Sequence, residues 1–106
     1  MCTVWDAIMR VQHAESAGGN WMFCFVDGMR AAMSHQQYHE FLSLMAHARR
    51  HQDFVGSEAD DAALEAARRV LPESVTERSE FLGLLAERAP AGSKVRRWAS
   101  EVLEEV

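Results

Sequence analysis

Trp21-Met22-Phe23-Cys24-Phe25-Val26-Asp27-Gly28-Met29-Arg30-Ala31-Ala32-Met33 is the segment on which the fold class turns. Its first six residues are an uninterrupted apolar run, and such a run carries no period that separates a strand from a buried helix. Three aromatic residues followed by Asp27-Gly28 favour a β-hairpin, because Asp-Gly tolerates the two positive φ angles of a type I′ turn. A hairpin over residues 21–33 would bury Trp21, Phe23 and Phe25 on one face against helices, since a lone hairpin is marginal in water. Ala31, Ala32 and Met33 are good helix formers and speak for the competing reading, a buried helix. The hairpin is the expectation.

Upstream, Thr3-Val4-Trp5-Asp6 has the shape of a helix start, with a capping hydroxyl and an acid in the first turn. A helix over about 4–17 follows, with Val4, Ile8 and Val11 on one face, Trp5 beside them, and Ala17-Gly18-Gly19-Asn20 as its exit. Downstream, Ser34-His35-Gln36-Gln37 reads as a capping box opening a helix to about residue 52. Tyr38, Phe41, Leu42, Leu44, Met45 and Ala48 fall on its apolar side. Acids at Glu58, Asp60 and Asp61 and bases at Arg68 and Arg69 mark the start and end of a third helix, which Pro72 stops. A fourth helix spans about 76–89. Ser93 caps a fifth, in which Val95, Trp98, Ala99, Val102, Leu103 and Val106 keep helical spacing. The expected fold is mainly α: one domain over residues 1–106, a compact bundle of about five helices with a short β-hairpin near residues 21–33.

The 106 residues are too few for two independent cores, and a composition 48% hydrophobic and 25% charged belongs to globular rather than disordered chains. The longest apolar run falls far short of the roughly 20 residues that span a bilayer as a helix. The first residues show no basic segment, apolar stretch and cleavage site, so the expectation is a cytoplasmic protein with no membrane partner. Cys2 and Cys24 make neither a disulfide framework nor a zinc motif, and Cys24 reads as a small buried hydrophobe. A net charge of −5 repels a phosphate backbone and favours a basic protein partner.

Two histidine pairs, His35 with His39 and His47 with His51, have the i, i+4 spacing that lets two imidazoles reach one metal ion. Each is half a zinc site, the glutamate of the zinc-protease signature is missing because Gln36 follows His35, and solvated histidines on a polar helix face are the simpler account. No glycine-rich phosphate loop, nucleophile elbow or cysteine–histidine signature occurs, so no catalytic residue, cofactor or metal site is assigned.

The last helix carries its charges against the macrodipole, with Lys94, Arg96 and Arg97 at its start and Glu101, Glu104 and Glu105 at its end. Arg88, Lys94, Arg96 and Arg97, with free backbone donors at that helix start, are therefore candidates for an anion-binding patch. The competing account pairs them with Glu73, Glu77, Glu80 or Glu87 of the preceding helix.

The function expected is that of a non-catalytic interaction protein, a small acidic inhibitor or adaptor occupying a surface of a larger, nucleic-acid-handling complex. Glu58, Asp60, Asp61 and Glu65 are its expected contact surface. The alternatives are a DNA-binding transcriptional regulator using the last helix pair over 76–106, and a metal-binding protein using a histidine pair across a dimer interface. A monomer and a homodimer are both compatible with the sequence.

Overall fold

In the computed structural model, which describes residues 4–17, 20–35 and 38–105, the sequence forms helices throughout and no strand among those residues. The helices are α1 (Val4–Ala17), α2 (Trp21–His35), α3 (Tyr38–Ala48), α4 (Glu58–Val70), α5 (Val75–Arg88) and α6 (Lys94–Glu105), with a 3₁₀ turn over Gln52–Phe54. There are thus six α-helices among the described residues where five were expected, and the sixth stands in place of the hairpin.

The correction at residues 21–33 has a physical reason in the pattern of burial. A strand would turn Phe23 and Phe25 to the same face. Instead Phe25 is fully buried while Phe23 is 68% exposed. Phe25, Met29 and Ala32 are all fully inside, at the three- and four-residue steps of a helix face. Asn20, expected to close the preceding helix, opens this one: its Oδ1 accepts the Phe23 backbone N–H at 3.3 Å. Asp27-Gly28 makes no turn. A Cβ on Gly28 would sit 2.5 Å from Leu44 Cδ2 and 2.8 Å from Ala7 Cβ, so α1 and α3 both pack closely on α2 at this residue. Glycine inside a helix costs about 1 kcal/mol relative to alanine, and here the close approach of three helices compensates.

α1 and α2 pack on each other, α2 packs also on α4, and α5 and α6 form a second pair that reaches the rest through α3 and α4. Buried apolar residues from all six helices join one cluster. At its centre Phe25 meets Phe54 and Trp21 edge-on, with ring centroids 5.5 and 6.0 Å apart. Phe41 and Phe81 close the far side at 5.7 Å. Ala59, Ala63, Ala66 and Ala67 give α4 the small inner face that admits its neighbours. Val95 and Ala99 bury the stripe of α6 with Trp98 and Val102 packed beside them, so that stripe closes the molecule's own core. Cys24, expected inside, is only half-buried against the core.

α3 ends at Ala48, earlier than residue 52, because Arg50 and His51 donate their N–H groups to His47 O and Ala48 O in a tightening turn. The capping box at Ser34–Gln37 extends outside the described residues. Among the described residues no helix is long and apolar enough to cross a membrane.

Candidate functional site

The acidic start of α4 and the basic start of α6 lie against each other. Asp60 is fully buried, and its carboxylate accepts three backbone N–H groups: Gly56 at 3.0 Å and Lys94 at 2.9 Å on Oδ2, and Val95 at 3.2 Å on Oδ1. Ser93 completes the cap, its own N–H donating to Pro90 O and its Oγ accepting the Arg96 N–H at 3.2 Å. Every donor at the start of α6 that a bound anion would use therefore has an internal acceptor. Asp61 takes the Lys94 ammonium at 2.8 Å, and this hydrogen bond, with the charge attraction behind it, raises the lysine above its ordinary pKa.

The reversed charge order of α6 is thus compensated from α4 rather than from α5. Among the basic residues singled out, Lys94 is engaged in this contact, Arg97 is exposed, and Arg88 and Arg96 are half-buried. Among the acidic ones, Asp60 is internal, while Glu58, Asp61 and Glu65 remain on the surface, Glu65 with Arg69 at 3.8 Å.

Glu58, Asp61 and Glu65 follow one another at three- and four-residue steps and so share a stripe of α4. That stripe edges two adjoining hollows between α2 and α4. The first, of about 160 Å³, is bounded by Phe23, Met22, Val26, Asp27 and Glu58. The second, of about 200 Å³, continues from Val26 and Glu58 to Met33, Ala62, Asp61 and Glu65. Arg30 lines both. The result is a shallow trough with apolar side chains inside and four carboxylates at its edges.

His47 and His51 are not solvated on a helix face, as their spacing had suggested. Glu15 of α1 lies between them, with His47 Nδ1 3.0 Å from Oε1 and His51 Nε2 2.9 Å from Oε2. Each contact is a hydrogen bond when the ring nitrogen facing Glu15 carries a proton. The Trp21 ring stacks on His51 at 3.9 Å with the planes 9° apart. This group ties α1, α2 and the end of α3 together. His39 is exposed beside Tyr38. Among the described residues no set of three or more His, Cys, Asp or Glu side chains is placed to hold a metal ion.

Sequence reasoning named Glu58, Asp60, Asp61 and Glu65 as one acidic run, of which Asp60 is internal. It missed the aromatic end of the trough, because Phe23 had been assigned to a buried strand face, and it missed Glu15, which lies 32 and 36 residues from its histidines. Compared with protein-family models, with curated proteins and with solved structures, the chain shows no significant match.

Proposed function

We propose that this protein is a non-catalytic interaction protein that receives a basic, amphipathic segment of a larger partner in the trough between α2 and α4. The observation that carries the proposal is the exposure of Phe23 at one end of an apolar floor whose edges hold Asp27, Glu58, Asp61 and Glu65. Exposed aromatic residues beside a hollow serve as anchors, and surrounding carboxylates select a cationic partner and speed its approach. The net charge of −5 works in the same direction. An inhibitor or adaptor acting on a nucleic-acid-handling complex fits this reading, because such complexes present basic surfaces that an acidic face can occupy.

The test is a titration of the full chain with a Lys/Leu amphipathic helical peptide, followed by amide NMR. Saturable shifts centred on Phe23, Val26, Met33 and Ala62, lost in a Glu58→Lys/Glu65→Lys variant, are expected. Shifts centred elsewhere, or unchanged binding by that variant, would overturn the proposal. A DNA-binding role for residues 76–106 has less support, since the start of α6 is capped by Asp60 and the Lys94 ammonium is engaged by Asp61.

A further inference from the structure

On a different part of the surface, the segment after α3 and the link between α5 and α6 enclose an open cleft of about 470 Å³. Its polar lining is Arg49, His51, Gln52 and Arg96, and its apolar lining is Val55 and Ala89-Pro90-Ala91. Among the described residues no carboxylate lines it, although the chain as a whole carries sixteen Asp and Glu against eleven Lys and Arg. Neither the Arg49 nor the Arg96 guanidinium has an ion-pair partner among the described residues. Both guanidinium groups keep donors that no carboxylate among the described residues occupies.

We infer that this cleft binds a phosphorylated small molecule. Guanidinium groups present paired, planar donors that match phosphate oxygens, and two of them line this one cleft. His51 is held in place by Glu15 through Nε2 and by the Trp21 stack, so part of the cleft wall is rigid before any ligand arrives. Gln52 adds an amide able to donate or accept. Val55, Ala89 and Pro90 offer an apolar side to the organic part of the ligand, and the volume lies within the range of small-molecule sites. The site differs from the patch expected at Arg88, Lys94, Arg96 and Arg97: it keeps Arg96, recruits Arg49 from the other side, and makes no use of the α6 start, whose donors are occupied. It is independent of the α2–α4 trough, so either assignment can fail alone.

The experiment is a titration of the full chain with inorganic phosphate and, separately, with ribose 5-phosphate at constant ionic strength, monitored by the Arg Nε–H and backbone amide resonances. Saturable shifts at Arg49, Gln52, Val55 and Arg96 are expected, with ribose 5-phosphate the tighter of the two. An Arg49→Gln/Arg96→Gln variant that keeps its helical circular dichroism should bind at least about ten-fold more weakly. Arg68→Gln, at an exposed arginine of α4 that does not line the cleft, should leave the affinity unchanged. Non-saturable shifts, equal weakening by Arg68→Gln, or citrate binding as tightly as ribose 5-phosphate would overturn the inference. Equal affinity for the two phosphates would overturn its assignment to an organic phosphate. If the double variant does not fold, Arg49→Lys and Arg96→Lys made singly replace it. Each keeps the charge and loses the fork, and each must weaken binding for the inference to stand.

Discussion

Asp60 and Lys94 meet through the backbone of one and the side chain of the other: the Lys94 N–H donates to Asp60 Oδ2 at 2.9 Å, while the lysine's own ammonium turns to the adjacent Asp61. Two neighbouring aspartates thus do different work. Asp60→Ala strips a buried carboxylate from three amides and should cost about 3 kcal/mol or more, read as a lower urea midpoint with the slope unchanged. Asp61→Ala removes only an exposed pair and should leave the midpoint close to that of the parent.

The same pair gives a pH signature. A lysine whose pKa is raised on folding contributes stability that is complete below its unfolded pKa and is lost as pH rises through the folded one. Thermal melts through the alkaline range should therefore show a small loss in the parent that is reduced in Asp61→Asn. The difference should shrink in high salt, because the Lys94–Asp61 pair lies on the solvent-accessible surface.

Two glycines inside helices should respond oppositely to alanine. At Gly83 of α5 nothing lies within 4 Å of an added Cβ, so Gly83→Ala should stabilise by about 0.5–1 kcal/mol through helix propensity. At Gly28 the same change meets Leu44 and Ala7 and should destabilise by about 1–3 kcal/mol as the three helices are forced apart. Chemical denaturation of both variants reads the two signs directly.

Phe23 and Phe25, two residues apart, should differ as a strand would not allow. Phe25→Ala empties a fully buried site and should cost about 3–5 kcal/mol, whereas Phe23→Ser should stay within about 0.5 kcal/mol of the parent. Comparable losses at both positions would restore the hairpin.

Glu15 and His51 should be energetically coupled. Glu15→Gln and His51→Ala, measured singly and together, should give an interaction energy of about 0.5–3 kcal/mol, because each alone removes one side of the half-buried Glu15–His51 contact.

Much of this architecture can be read locally. Val95, Trp98, Ala99 and Val102 announce α6 by their spacing, and the acid-to-base order of Glu58 to Arg69 announces α4. α2 resists because its apolar residues occupy nearly every position at its start, so neither the strand nor the helix period stands out, and because glycine marks a turn and a tight helix crossing alike. The acids at the start of α4 were legible as a run, but not the aromatic end of the trough or Asp27 beside it. Asp60 was read as surface because adjacent acids at a helix start usually are. Its true partners lie 34 and 35 residues away, where no local rule reaches. Arg49 went unremarked for the same reason: only the folded chain brings it to Arg96.

The cap that Asp60 places on α6 also bears on the order in which the molecule is assembled. Ser93 caps only part of the first turn of α6 and Asp60 of α4 supplies the rest, so α6 should gain its full order only once α4 is in position. Amide hydrogen exchange at Lys94 and Val95 would then report the opening of the α4–α6 junction as a unit instead of fraying at one helix end. A chain emerging from the ribosome would make this join only once Lys94–Glu105 has come free.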